Sequence, residues 1–232
     1  MAMINIFSSL IEALLPRYCY GCDNVLVSGE KILCTDCLLE ISHTFNFLDK
    51  NNDLANKVSI YYPVKNASAF IFYDTDSVAR RLIHRFKYAD DLIVGKFLTK
   101  LFCQQLKEKD WIKEIDFILP LPLHWRRKLH RGYNQSEIIS REIGKNFDIK
   151  VKTNCLKRIR YNQSQTKMTK EKRWENVKDI FEVRNTKQLE GKHILLVDDI
   201  ATTGASLNFC IKALSKIKNI NISVLVIASA EK

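Results

Sequence analysis

The sequence lacks any apolar run of the ~20 residues that a transmembrane helix requires. Its 232 residues include only four prolines and seven glycines, which excludes a collagen-like chain, and no segment has a disordered composition. The apolar start, residues 1–15, lacks the basic region and the small-residue cleavage site of a signal peptide. We therefore expect a cytoplasmic globular protein.

Apolar residues within 1–15 repeat at helical spacing until Pro16, where the pattern stops. This spacing predicts a helix that docks on the protein core. An amphipathic helix lying on a membrane surface has the same spacing, so peripheral contact with the inner face of the membrane stays an open alternative.

The positive charge of the chain is concentrated in one segment. The formal net charge is +11, and residues 121–178 contain 16 Lys and Arg against 5 Asp and Glu, while the remaining residues are balanced. A hydrophobic content of 46% in a chain of this length allows one main domain and a small module. The local excess of cations favours an anionic ligand, nucleic acid or both.

Four cysteines form two Cys-x2-Cys pairs near the N-terminus, Cys19 with Cys22 and Cys34 with Cys37. Two such pairs on short turns bring four thiolates to the tetrahedral geometry of structural Zn²⁺. Disulfides are the alternative, but they are rare in the cytoplasm, and a redox motif would be a single pair attached to a βαβ unit. Because the protein supplies all four ligands, the metal would stabilise the fold. We predict a zinc-ribbon-like module in residues 1–45.

The most specific pattern lies in residues 194–206, where an apolar strand leads to two carboxylates and a tight turn into a helix. The turn offers hydroxyl donors, small side chains and a glycine that permits close approach of an anion: Ala201, Thr202, Thr203, Gly204, Ala205 and Ser206. The helix presents unpaired N–H groups and its positive dipole end to a phosphate. Open α/β sheets bind phosphorylated ligands at this place.

The two carboxylates, Asp198 and Asp199, repel phosphate and suit ribose hydroxyls or a Mg²⁺ ion carried by the ligand. A tight βα connection without a ligand and a phosphate-accepting receiver domain are the alternatives. Receivers carry their acidic pair on the first strand, whereas here only one further strand, 222–228, follows. The whole pattern resembles the 5-phosphoribosyl-1-pyrophosphate (PRPP) loop of type I phosphoribosyltransferases, with Ser206 where that family usually has Thr. The resemblance implies that Asp198 and Asp199 are the catalytic pair.

A strand over 117–122 is followed by a basic loop and by a helix that begins near Ser136. The resemblance implies that this loop binds pyrophosphate, because type I phosphoribosyltransferases do so after their first core strand. Arginine forks suit phosphate oxygens, and the flat rings of Trp125 and Tyr133 among the cations can stack nucleobases. The candidates for pyrophosphate or anion binding are Arg126, Arg127, Lys128, Arg131, Gly132, Asn134 and Gln135.

Residues 154–176 are polar and basic and lack the apolar periodicity of a core element. A segment of this length is rarely a connection without a function. They resemble the mobile catalytic loop of the phosphoribosyltransferase fold. The candidates for ligand closure or DNA binding in this loop are Lys157, Arg158, Arg160, Gln165, Lys167, Lys170 and Arg173. The Asn-rich stretch 46–66 predicts a linker, and 67–232 would form the main domain. Strands are expected at 69–73 and 181–183, and helices at 78–86 and 92–107.

Taken together, these motifs identify the chain as similar to the ComF (ComFC/GntX-like) competence family over nearly its whole length. The motifs that carry the resemblance are the two cysteine pairs, 119–122 (LPLP), 131–136 (RGYNQS), 163–166 (QSQT), Arg173-x2-Asn176-Val177 and 197–205. The resemblance implies a type I phosphoribosyltransferase fold, a mainly parallel sheet flanked by helices. It also implies a role in natural transformation, with single-stranded DNA and other DNA-uptake proteins as partners; a homodimer stays open.

Three functions remain open from the sequence. The favoured one is a competence factor that binds single-stranded DNA and holds PRPP or ribose 5-phosphate with Mg²⁺. The second is a metabolic phosphoribosyltransferase that joins PRPP to a nucleobase, although no base-recognition hood is evident. The third is a PRPP-sensing or docking module without catalysis.

Overall fold

A computed structural model of the chain describes residues 16–88, 91–159 and 180–230. The predicted N-terminal helix and most of the predicted mobile loop therefore lie outside the described residues. Within these ranges, no helix has the length and apolar character needed to cross a membrane.

In the described part of the chain, seven strands form two sheets: β1 Ala67–Phe72, β2 Phe117–Pro120, β3 Lys150–Val151, β4 Leu156–Arg158, β5 Phe181–Val183, β6 His193–Ala201 and β7 Asn221–Ser229. The main sheet has the order β1-β7-β6-β2-β3, and every neighbouring pair is parallel. The strands β4 and β5 form a separate antiparallel pair. The strands expected near 69–73, 117–122, 181–183 and 222–228 are thus all present.

Helices connect the strands: α1 Thr35–Glu40, α2 Asp53–Val58, α3 Val78–Tyr88, α4 Leu92–Leu106, α5 Asp110–Lys113, α6 Trp125–Arg131, α7 Gln135–Phe147 and α8 Ala205–Leu214. Two 3₁₀ turns lie at Asn46–Leu48 and Thr186–Gln188. Helices α3, α4, α7 and α8 lie where the sequence predicts helices, and each turns its apolar side to the core.

The main sheet is covered on both faces, which explains why β6 and β7 are almost continuously apolar. Alternate residues of β6 pack into different clusters: Leu195 packs with α3, α4 and α7, and Leu196 packs with α2 and α8. This is the two-residue period of a strand expressed as two hydrophobic cores.

The carboxyl ends of β2 and β6 form a topological switch point. From β2 the chain passes through α7 to β3 on one side, whereas from β6 it passes through α8 to β7 on the other side. Helices α7 and α8 pack on opposite faces of the sheet. The connections therefore diverge and leave a crevice between these two strand ends, the place where open α/β sheets bind ligands.

The cysteine module shares a core with the main domain. Cys19 and Cys37 are buried in the same cluster as Val78 at the start of α3. Nε of Arg81 donates a hydrogen bond to the backbone oxygen of Gly21, and Arg85 pairs with Asp23. The charged side of α3 could be solvated or face an anion on sequence grounds; two of its arginines instead attach the module.

The stretch 46–66, predicted as a linker, contains ordered structure that packs on the sheet. Asn52 caps α2 by accepting a hydrogen bond from the backbone N–H of Ala55 at 2.9 Å. Leu54 and Val58 of α2 are buried against β1 and α8. The high local content of Asn and Asp favoured a linker. In the structure these residues form helix caps and turns instead. The boundaries of 46 and 66 stay predictions.

Two segments predicted as loops have regular structure. The basic stretch after β2 is helix α6, which ends at Gly132 with φ of 76°. No residue of α6 is buried, so the segment lacks the apolar period that predicts a helix. The predicted mobile loop begins with β4, where Cys155 and Leu156 are buried and β4 pairs with β5.

Candidate functional site

The acidic pair lies at the carboxyl end of β6, inside the strand rather than after it. Oδ1 of Asp198 accepts hydrogen bonds from the hydroxyl of Ser136 at 2.8 Å and from the backbone N–H of Asp199 at 2.9 Å. Ser136 lies in the first turn of α7, so this contact joins the two sides of the crevice. Burial raises the pKa of Asp198, and the charge of Asp199 raises that pKa further.

Asp199 pairs with a residue that the sequence patterns did not assign to the site. Nζ of Lys87, in the last turn of α3, lies 3.1 Å from Oδ2 of Asp199. The two side chains are 18% and 9% exposed, so little water screens the pair. A cation thus already contacts one of the two carboxylates where a ribose diol or Mg²⁺ is expected.

The predicted phosphate loop connects β6 to α8. Thr202, Thr203 and Ala205 are exposed, Ser206 is half-buried, and Gly204 has φ of 68°, the left-handed region that favours glycine. A side chain at Gly204 would also meet the backbone oxygen of Lys57 at 3.1 Å. The loop therefore exposes hydroxyls and N–H groups at the start of a ten-residue helix, as an anion site requires.

The same loop is held by the segment predicted as a linker. Nδ2 of Asn208 donates to the backbone oxygens of Lys57 at 2.7 Å and of Gly204 at 3.1 Å. Its Oδ1 accepts from the backbone N–H of Ile60 at 3.1 Å. One buried amide thus fixes the turn against α2.

The candidates for anion binding after β2 differ in their burial. Arg126, Arg127 and Lys128 are exposed on α6, and Gly132 ends that helix. Arg131 is half-buried and donates to Oε1 of Gln135 at 3.1 Å.

Two of the candidates are buried at the start of α7. Asn134 caps α7 and donates to the backbone oxygen of Leu121 at 3.0 Å. Gln135 is 1% exposed, and its buried Nε2 has no hydrogen-bond partner among the described residues. Asn134 therefore has a structural role, while Gln135 retains an unused donor.

Only the first part of the predicted mobile loop falls within the described residues. Lys157 is exposed on β4, and Arg158 is half-buried with an Nε that lacks a hydrogen-bond partner among the described residues. Burial and the charge of Arg127 lower the pKa of Arg158, and the charge of Asp198 opposes them. The charges of Arg127 and Asp198 therefore both act on Arg158. Arg160, Gln165, Lys167, Lys170 and Arg173 lie outside the described residues.

The four cysteines come together as predicted, with all four Sγ atoms within 4.8 Å of one another. Backbone N–H groups of Gly21 and Cys34 donate to Sγ of Cys19 at 3.3 and 3.2 Å. A side chain at Gly21 would approach Sγ of Cys37 to 2.7 Å. The thiol set and its N–H donors match a closed tetrahedral metal site.

Sequence reasoning missed Lys87, Ser136 as the partner of Asp198, and the support from Asn208. Ser136 could have been found, because it follows β2 as Asp198 ends β6, and β2 and β6 are neighbours. Nothing in the local sequence distinguishes Lys87 from the arginines beside it.

The chain matches the family model of the phosphoribosyl transferase domain over residues 129–231. Together with the parallel sheet and the four-cysteine cluster, this match confirms the predicted fold class, a phosphoribosyltransferase fold with a small N-terminal cysteine module.

Curated relatives extend the similarity. Competence protein F of Haemophilus influenzae is 31% identical over 153 residues, which span 64% of this chain and 67% of that protein. Competence protein ComFC of Bacillus subtilis is 28% identical, over 65% of this chain and 58% of its own length. DNA utilization protein YhgH of Escherichia coli K12 is 26% identical, over 54% of this chain and 56% of that protein.

Proposed function

This chain belongs to the ComF family of competence proteins, and on that premise we propose that it binds single-stranded DNA during natural transformation and holds PRPP or ribose 5-phosphate with Mg²⁺ in the crevice. The observation that carries the ligand proposal is the hydrogen bond from Ser136 to Asp198. This hydrogen bond holds Asp198 at the crevice. The predicted phosphate loop follows the acidic pair in the chain.

In this proposal each group in the crevice has a distinct task. Hydroxyls of Thr202, Thr203 and Ser206, with the N–H groups of the turn, bind the 5-phosphate. Asp198 and Asp199 accept hydrogen bonds from the vicinal hydroxyls of the ribose. The Mg²⁺ ion, carried on the ligand, would neutralise diphosphate charge and favour the ionised form of the acids.

The basic side of the crevice suits the diphosphate. Arg127 and Arg158 supply planar guanidinium groups for phosphate oxygens. The unused Nε2 of Gln135 is a further donor. These groups would stabilise a leaving pyrophosphate if transfer to a nucleobase takes place, which keeps a phosphoribosyltransferase activity as the second candidate.

The metal of the cysteine module is proposed to be Zn²⁺ with a structural role. Cys19, Cys22, Cys34 and Cys37 would fill all four positions of a tetrahedral site. Metal analysis of the purified protein tests this, and a protein free of zinc that still folds would contradict it.

The proposed DNA binding rests on the family and on exposed cations. Helix α6 carries Arg126, Arg127, Lys128 and Arg131 without an acidic residue, and Trp125 at its start is 59% exposed. Cations beside exposed rings bind single strands through phosphate attraction and base stacking, without regard to sequence.

A melting-temperature screen with and without Mg²⁺ tests the ligand proposal, with PRPP, ribose 5-phosphate, pyrophosphate and nucleotides as ligands. We expect PRPP with Mg²⁺ to stabilise the wild type. The double variant Asp198→Asn with Asp199→Asn should lose this stabilisation while retaining the fold. An unchanged shift in the double variant would refute the role of the acids. Release of pyrophosphate with some nucleobase would establish transfer as the activity.

A further inference from the structure

A surface formed by three rings and three arginines extends from the end of α6 along α3 to the cysteine module. We call it the aromatic–basic track, and it consists of Tyr20, Arg80, His84, Arg85, Tyr88 and Arg131. At one end, Nη2 of Arg131 donates to the hydroxyl of Tyr88 at 3.0 Å, and its guanidinium carbon lies 4.9 Å from the ring centroid. This contact links α6 to α3.

The middle of the track is a pair of rings one helical turn apart. The ring centroids of His84 and Tyr88 are 4.8 Å apart with an interplanar angle of 42°. His84 is exposed, and Tyr88 is 54% exposed. A large ring left in water at this exposure, next to a cation and a second ring, offers a stacking surface.

The other end is a cleft of about 470 Å³ between α3 and the cysteine module, lined by Tyr20, Arg80, His84 and Arg85 and also by two carboxylates, Asp23 and Asp76. The guanidinium carbon of Arg85 lies 5.5 Å from the ring centroid of Tyr20. The cleft is wide enough for a planar group, since its volume lies within the range of small-molecule sites.

The arginines of the track differ in whether a neighbouring carboxylate neutralises their charge. Arg85 pairs with Asp23 and Asp91, which reduces its attraction for phosphate. Among the described residues no carboxylate pairs with Arg80 or Arg131. These two arginines, one near each end of the track, therefore have no carboxylate partner in the described part of the chain and can attract phosphates.

We propose that the aromatic–basic track binds single-stranded nucleic acid, with bases stacked on Tyr88, His84 and Tyr20 and phosphates on Arg131 and Arg80. The inference rests on the proposed DNA binding. It assigns that binding to a surface outside the predicted mobile loop, residues 154–176. Duplex DNA keeps its bases stacked inside and has no use for the rings. A membrane surface would favour apolar side chains inserted among the cations, whereas the six residues of the track include no aliphatic side chain.

The test is the double variant Tyr88→Ala with Arg131→Gln in the full chain. We expect its Kd for a 20-nucleotide oligothymidylate, measured by fluorescence anisotropy, to rise about tenfold or more. The slope of log K against log salt should flatten by ~0.7, because the variant neutralises one phosphate fewer. Tyr88→Trp should retain wild-type affinity, because it keeps a stacking ring.

A matched control exists on the opposite face of the sheet, where Nζ of Lys212 lies 4.5 Å from the ring centroid of Tyr61. Tyr61→Ala with Lys212→Gln removes the same type of pair and should leave the Kd unchanged. Circular dichroism should give all variants the wild-type fold.

The outcomes separate the two proposals. A wild type that binds no oligonucleotide would overturn both. A wild type that binds, with an unaffected double variant, would overturn the track alone. If the double variant no longer bound anionic vesicles of phosphatidylglycerol but kept the oligonucleotide, the surface would be a membrane contact and the inference would be wrong.

Discussion

Asp198 and Asp199 are neighbours in sequence with different surroundings. Asp198 accepts hydrogen bonds from a serine and a backbone N–H, while Asp199 pairs with a lysine. Asp198 therefore contacts the start of α7, and Asp199 contacts the end of α3. A ligand in the crevice would therefore meet one hydrogen-bonded acid and one ion-paired acid.

The raised pKa of Asp198 predicts a pH-dependent effect of Asp198→Asn. Burial makes the folded protein hold this proton more tightly than the unfolded chain does. The resulting stability is complete below the unfolded pKa and is lost as pH rises through the raised folded pKa. The amide avoids the loss, so the free energy of unfolding of the variant should exceed that of the wild type by ~1 kcal/mol or more above neutral pH.

Urea denaturation at pH 5 and pH 8 measures this difference. The advantage of the Asp198→Asn variant should shrink at the lower pH, and the contributions of titrating groups that do not interact with Asp198 cancel between the two proteins. A difference that does not change with pH would contradict the raised pKa of Asp198.

Lys87→Met tests whether the ion pair competes with the ligand. Removing the ammonium group leaves Asp199 buried without its partner, so the free energy of unfolding should fall by ~1–3 kcal/mol. Ribose 5-phosphate with Mg²⁺ should bind more tightly, because no cation then competes for Asp199. Calorimetric titration provides the Kd, Lys96→Met on the exposed side of α4 is the control, and weaker binding would contradict the account.

At the scale of elements, α3 connects the cysteine module to the acidic pair. Arg81 and Arg85 contact the module, and Lys87, further along the same helix, contacts Asp199. From the sequence alone, loss of the metal would affect only the first ~40 residues. Because the module shares a core with α3, we expect the effect to extend into that helix.

Hydrogen exchange before and after chelation checks this expectation. Backbone amides of α1 and of α3 should both exchange faster in the chelated protein, while β6 and β7 keep their protection, since they lie in the centre of the sheet. Faster exchange confined to residues 16–45 would show that the module folds independently.

Periodicity in the sequence predicted the elements of the core and failed at the surface. α3, α4 and α7 show apolar spacing because they are buried on one side, and β6 and β7 are apolar because both faces are covered. α6 has no buried residue and therefore no such period. α2 is short and begins among Asn and Asp residues, whose local hydrogen bonds resemble those of a linker.

The candidate site residues also fall into two groups, those that the sequence indicates and those that only the fold brings together. The turn between β6 and α8 and the four-cysteine cluster were predictable because each is built from residues close together in sequence. Lys87 and Asn208 act across the fold, 112 and 151 residues from Asp199 and Lys57 respectively. Only the tertiary structure brings such pairs together.

For the whole molecule, the concentration of the +11 net charge within residues 121–178 predicts salt-sensitive DNA binding. Each phosphate neutralised on a single strand should contribute ~0.7 to the slope of log K against log salt. Titrations between low and physiological salt measure that slope. An affinity that does not respond to salt would remove the electrostatic account.

The most direct test of the central claim is a crystal structure of the protein soaked with PRPP and Mg²⁺. We expect density for the 5-phosphate against Thr202, Thr203 and Ser206, and for the ribose hydroxyls beside Asp198 and Asp199. Density for the ligand elsewhere, or no density at a concentration that stabilises the protein, would contradict the assignment of this crevice.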